Sequence, residues 1–218
     1  MSVARLARVL SAAEPELDEA CLAIAGAVGG PLDEIEWLAV LDVLAGECAT
    51  PTPAGVVRYL VDDASFRGNV DDYYDWRNSC LDRVLDRRLG IPITLGVVAI
   101  EVARRVGARL VCVGLPGHVL LADPAESGVF FDPFQGSEPL DLDEVRRRFD
   151  RVTGGRAPFD DRYLAPMSTN AIVERILANL RAVFAQNRDA VRSAIVVELR
   201  HQTRTPSPDG PDASAALN

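Results

Sequence analysis

The sequence contains no lysine, so all 23 of its basic side chains are arginine, and they are outnumbered by 32 acidic residues to leave a formal net charge of −9. Phosphate binding needs a basic face that displaces counterions, so this balance argues against a nucleic-acid partner and against an anionic membrane surface. Histidine occurs only twice, as His118 and His201, and the four cysteines, Cys21, Cys48, Cys80 and Cys112, are scattered without a C-x-x-C pair. These absences leave neither the ligand spacing of a structural zinc site nor a disulfide framework, and no metal or cofactor is expected. Nowhere does the chain offer the roughly 18 uninterrupted apolar residues of a membrane span. The opening MSVARLARVLSAAEPELDE meets its acidic residues before a signal-peptide core is reached, so a cytoplasmic protein is expected. Arginine in place of lysine, with abundant alanine, suggests a GC-rich bacterial genome.

What is present is a chain of 218 residues, 48% of them hydrophobic, which is enough to bury one sizeable core. Residues 1–66 read as helices, with apolar positions at helical spacing (Leu17, Cys21, Ile24, Ala25; Ile35, Leu38, Leu41, Leu44) and Gly29-Gly30-Pro31 as punctuation. A polar connector, RGNVDDYYDWRNS, precedes a helix over about 79–89, for which Asn78 and Ser79 are the natural N-cap. Asp71, Asp72 and Asp75, interleaved with aromatics, read as a solvated loop over tucked rings. Between Arg109 and Asp132 the texture becomes short β-rich runs, RLVCVGL, HVLLA and VFFDPF, separated by Pro116-Gly117 and DPAESG, which predicts adjacent antiparallel strands. A short helix over 141–149, a loop at 154–158 and an amphipathic helix pair over 169–200 follow, and the end of the chain reads as a disordered tail.

The run PITLGVVAIEVARRV is apolar except at Thr94, Glu101, Arg104 and Arg105, which share one narrow side of a helix opened by Pro92 and stopped by Gly107. The rest of that helix must be buried. Followed directly by strands, it reads as the central helix of an α+β domain. Its N-terminus carries unpaired N–H groups and partial positive charge, a setting that stabilises a thiolate or an oxyanion.

The strings NSCLDRVLDRRLGIPITLGVVAIEVARRVGA, GLPGHVLLA and FFDPFQG, in this order, resemble the bacterial SirB family, whose core belongs to the transglutaminase-like superfamily. The resemblance covers roughly residues 14–200. It implies a papain-like core of a central buried helix on a small antiparallel sheet over 67–160, a leading helical segment over 1–66, a tetratricopeptide-like helical hairpin over 161–202 and a tail over 203–218. In active members of the superfamily a cysteine at the helix start attacks an amide carbonyl, a histidine takes the proton and an aspartate orients the imidazole. His118 matches the histidine and Asp132 the aspartate. The cysteine position, in an ungapped register from Gly90 to Gly107, falls on Pro92, which has no nucleophile.

Two residues are candidates for a displaced nucleophile, Cys80 one helix earlier and Thr94 two residues later, and Asn78 is a candidate lining residue of the groove. The leading expectation is a non-catalytic domain whose cleft, built from Asn78, Pro92, His118 and Asp132, binds a peptide or protein. A working amide hydrolase or acyl transferase using Cys80 or Thr94 is the first alternative. A helical adaptor acting through the 169–200 hairpin is the second.

Overall fold

The computed structural model describes residues 2–203. Thr203 still belongs to a helix, and the rest of the expected tail, 204–218, lies outside the described residues. Four helices lead: α1 (Ser2–Leu10), α2 (Leu17–Gly29), α3 (Glu34–Glu47) and α4 (Pro53–Arg58), the last running on into a π turn over Tyr59–Asp63. Local chemistry sets their starts. Asp33 accepts the Ile35 N–H at 3.0 Å to open α3, and Thr52 accepts the Gly55 N–H at 3.1 Å ahead of Pro53 in α4.

A short parallel pair, β1 (Arg67–Gly68) with β2 (Leu89–Gly90), brackets a 3₁₀ turn (Trp76–Ser79) and α5 (Leu81–Arg87). The expected helix over 79–89 is therefore shorter, and its N-cap is Cys80 rather than Asn78 or Ser79. The 3₁₀ turn takes up Asn78 and Ser79 because Asp75 caps it, accepting the Arg77 N–H at 3.0 Å. Asp75 also corrects the solvated-loop reading of the connector, since it is buried and paired with Arg77 and Arg87.

The central helix α6 (Pro92–Arg105) leads into an antiparallel sheet in the order β3 (Val111–Leu115), β4 (His118–Ala122), β5 (Phe130–Phe131). Pro116 and Gly117 make the tight turn that pairs Leu115 with His118, and Gly117 takes a φ of +70° that side chains other than hydrogen resist. Alternation along the strands splits the sheet residues between two clusters. Cys112, Val119, Leu121 and Phe131 join α6 and the leading helices in the main core, whereas Val113, Leu115, Leu120 and Phe130 pack with Val145 and Phe149 of α7 (Leu142–Thr153). The expectation of an α+β core with a central helix on a small antiparallel sheet is what the chain forms. Gly96 brings α6 close to β3, since a Cβ there would lie 3.1 Å from the Cys112 sulfur.

After a 3₁₀ turn at Asp161–Leu164, α8 (Thr169–Gln186) and α9 (Ala190–Thr203) form the expected hairpin. It is not a free appendage. Ile172, Val173, Ile176, Leu177, Leu180 and Phe184 of α8, with Val196 and Leu199 of α9, join the same core as α2 and α6. Each such side chain contributes about 1.5–3 kcal/mol on burial.

The shared polar side of α6 is largely covered, with Arg104 the exposed member of the four. Thr94 and Glu101 are each 2% exposed. Glu101 accepts from Arg105 at 2.7 Å and from Arg104 at 2.8 Å, and Arg105 reaches on to Asp18 of α2 at 2.7 Å and Asp42 of α3 at 2.8 Å. Satisfied internally, the stripe can be covered by the leading helices. Burial, reinforced by the charge of Asp18 and opposed by Arg104, pushes the Glu101 carboxyl up to about 7. Burial also raises Asp18, but hydrogen bonding and charge from Arg105 outweigh it and hold Asp18 below the ordinary carboxylate range.

A raised carboxyl binds its proton more tightly folded than unfolded, so this group costs stability as pH rises from its unfolded value near 4.5 towards 7. Asp18 acts in the opposite sense, its stabilisation being lost only as pH falls below the ordinary carboxylate range. Urea unfolding at pH 5 and pH 8 should therefore show the wild type losing up to roughly 3 kcal/mol relative to Glu101→Gln over that interval. A difference that is constant or grows with pH contradicts this.

Candidate functional site

Two strands and a turn hold the His118 and Asp132 pair. His118 opens β4 directly after Gly117, and Asp132 follows β5, where its carbonyl accepts the N–H groups of Gln135 and Gly136 at 2.9 and 3.0 Å to close the DPFQG turn. The imidazole Nε2 lies 2.9 Å from Asp132 Oδ2. The other carboxylate oxygen accepts the Phe134 N–H at 3.2 Å, and Asp132 is 2% exposed. The Phe134 ring meets the His118 ring edge-on, centroids 6.2 Å apart, and meets Tyr73 in the same manner at 6.0 Å. With Nε2 engaged, Nδ1 is the nitrogen left for a proton-transfer partner.

One member of this site was not anticipated. Arg148 of α7 donates from Nη1 to the same Asp132 oxygen that holds His118. Of the three consecutive arginines in RRRF, Arg146 and Arg147 are solvated, but Arg148 is largely buried. A periodicity signal existed: Arg148 stands three residues after Val145 and next to Phe149, the two buried positions of α7. Asp132 thus serves a histidine and a guanidinium together.

A depression of about 110 Å³ opens beside His118, lined by Tyr73, Pro92, Ile93, Gly117, His118, Val119, Arg175 and Asn179. The start of α6 and the start of β4 therefore meet at one cavity, and Pro92 stands at the helix end of it. Arg175 and Asn179, one turn apart on α8, were also not anticipated. Arg175 lies among Ile172, Ile176 and Leu180 on the buried face of its helix, and an arginine on that stripe was the available sign.

The remaining sequence candidates sit elsewhere, and none of them lines this depression. The Thr94 hydroxyl donates to the Asn78 carbonyl at 2.6 Å and accepts the Ile91 N–H at 3.1 Å, so it closes the first turn of α6. Cys80 is fully buried, and that burial pushes its thiol well above the ordinary range, away from the thiolate a nucleophile needs. Both corrections have one cause: these side chains complete buried packing around the helix starts.

Asn78 is likewise fully buried rather than lining the groove. Its amide donates to the carbonyls of Asp72 and Tyr73 at 2.8 and 3.2 Å and its oxygen accepts from Asn69 at 3.0 Å. In that role it folds the connector over itself and fixes Tyr73 at the rim. Cys112 is wholly buried too, its thiol pushed up to about 12 by desolvation. Among the described residues no three His, Cys, Asp or Glu side chains gather as a metal site.

Removing Asp132 should take from Arg148 its buried counter-charge and leave only the partly exposed Glu144, 3.3 Å from Nε. Asp132→Ala is expected to cost about 3–5 kcal/mol in chemical unfolding, and Arg148→Met in the same chain should recover part of it. A loss below about 1 kcal/mol for Asp132→Ala would show that the pair does not hold the sheet to α7.

Against known proteins, residues 35–178 match the family model described as the transglutaminase-like superfamily. A UPF0162 protein of Xylella fastidiosa strain Temecula1 is 49% identical over 137 residues, which is 61% of this chain and 48% of that protein. A UPF0162 protein of Pseudomonas aeruginosa is 36% identical over 105 residues, 48% of this chain and 38% of its own. F-box only protein 21 of Mus musculus is 44% identical over 62 residues, 28% of this chain and 10% of that protein. The chain spans about half the length of the first of these relatives. No solved structure gives a significant match. A match over residues 35–178, on a fold that carries the histidine at the start of β4 and the aspartate directly after β5 beside the central helix, places the chain in the transglutaminase-like superfamily.

Proposed function

We propose that this chain is a non-catalytic transglutaminase-like domain that holds a peptide or protein segment in the depression between the start of α6 and the start of β4. The observation that carries the reading is the residue at the helix end of that depression, Pro92, which offers no thiol or hydroxyl to the imidazole. All four cysteines are buried, and Thr94 spends its hydroxyl within the first turn of α6. A histidine held by a buried aspartate but lacking a nucleophile is a hydrogen-bonding group in a polar niche.

The rim supports a peptide ligand. Tyr73 lines the depression beside His118, and an amphipathic ring of this kind binds extended chains at low entropic cost. The adaptor reading is less well supported, because α8 lends Arg175 and Asn179 to the depression and so serves the cleft. The displaced-nucleophile reading loses both of its candidates to structural roles.

Incubation with a fluorogenic glutamine-containing peptide and an amine donor should give neither hydrolysis nor transamidation above the His118→Ala background. An immobilised random-peptide library should be retained by the wild type and lost on Asn179→Trp, which fills the depression. A turnover rate abolished by His118→Ala contradicts the non-catalytic reading, and equal retention by Asn179→Trp contradicts the placing of the peptide.

A further inference from the structure

The depression contains a cation whose charge is not spent inside the protein. Arg105 and Arg148 each place their guanidinium on a buried aspartate. Arg175 does not. Its Nη2 donates to the carbonyl oxygens of Leu115 and His118, both at the long distance of 3.4 Å. Among the described residues no carboxylate acts on it, and burial pulls its guanidinium below the usual arginine range, with Tyr73 as the neighbouring titratable group. An arginine remains charged under such conditions, and desolvating it without a counter-ion is expensive.

Two further donors line the same cavity. Asn179 follows one helical turn later and lines the same cavity. Burial raises the Tyr73 phenol, partly offset by the charge of Arg175, so it stays protonated and can donate. The start of α6 borders the cavity through Pro92, which has no N–H, and Ile93.

We infer that the depression is a carboxylate pocket, in which Arg175 pairs with one carboxylate of the bound peptide and Asn179 and Tyr73 supply its remaining hydrogen bonds. This rests on the peptide-binding reading above and gives that peptide its chemistry. A planar guanidinium fork matches a carboxylate. A dianionic phosphate is disfavoured, because one guanidinium beside an amide and a phenol balances a single negative charge and the chain carries −9 overall. The volume of about 110 Å³ suits a carboxylate with the carbon atoms that carry it. Two parts of a peptide supply that group, its C-terminus and an Asp or Glu side chain.

Three immobilised random-hexapeptide libraries separate these sources: one with free C-termini, one amidated and free of Asp and Glu, and one amidated with a fixed internal Glu. The wild type should retain the first or the third at least about tenfold more strongly than the second, the equivalent of about 1.4 kcal/mol. Whichever is preferred names the source. Arg175→Gln should erase the preference, and Arg175→Lys, which keeps charge but loses the fork, should reduce it only in part. Melting curves of both variants guard against a folding defect, and Asn179→Ala, which leaves the Arg175 carbonyl contacts intact, should weaken the preference independently.

Equal retention of all three libraries, still lost on Asn179→Trp, overturns the carboxylate pocket while leaving a peptide cleft. Preference for a phosphopeptide library over both acidic forms overturns it as well. Retention of none of the libraries overturns the cleft reading and this inference together.

Discussion

The whole arrangement depends on one helix being buried over nearly all of its surface, with Arg104 its one exposed side chain. An α-helix with a solvated stripe can sit at the surface of its sheet, but α6 packs its apolar positions on β3 and β4 and its polar side under α2 and α3. Covering that side is tolerable only because Glu101 is satisfied by Arg104 and Arg105, and Arg105 by Asp18 and Asp42. The ion cluster gives the leading helices a fixed register on the core. With the C-terminal end of α6 locked in this way, its N-terminal end is held against the start of β4, and the site is the gap between them.

At that gap the chain holds a histidine and aspartate pair. A catalytic aspartate orients its histidine and stabilises the imidazolium that forms. Here the same carboxylate oxygen also receives Arg148, which shares its negative charge with a permanent cation from α7. The pair is thereby tied into the packing of α7 on the outer face of the sheet. Beside it, Arg175 places positive charge in the depression, while the helix start that borders it offers Pro92 and no thiol. On the reading proposed above, the charge of Arg175, the Tyr73 ring and the absent nucleophile favour recognition of a segment over its cleavage.

Much of this was legible in the sequence because it rested on short-range periodicity and motif order. The central helix, the three strands, the Pro116-Gly117 turn and the positions of the histidine and aspartate beside adjacent strands all follow from local pattern, and the SirB resemblance placed them in one fold. What was not legible depended on tertiary partners. Asn78 and Cys80 looked like a helix start or a reactive group until the connector folded over the one and the core closed on the other. Glu101 read as a solvated position because a buried carboxylate betrays itself only by its partners, Asp18 lying 83 residues earlier in the chain. Arg148 and Arg175 each stood on an apolar helical face, a sign that an inward-pointing arginine had work to do, but not where its charge would go.

The central claim is that the start of α6, His118 and Asp132 form a catalytic frame from which only the nucleophile is missing, its place taken by Pro92. Replacing that residue tests the frame directly. In Pro92→Cys, the introduced thiol would lie at a helix N-terminus beside an imidazole, and its rate of alkylation by iodoacetamide should exceed that of a model thiol at pH 6.5 by about tenfold or more. Adding His118→Ala should remove that excess, while the wild-type protein, whose four cysteines are buried, should label slowly throughout. A Pro92→Cys thiol that alkylates no faster than an ordinary thiol, or one whose rate is indifferent to His118, would contradict the account.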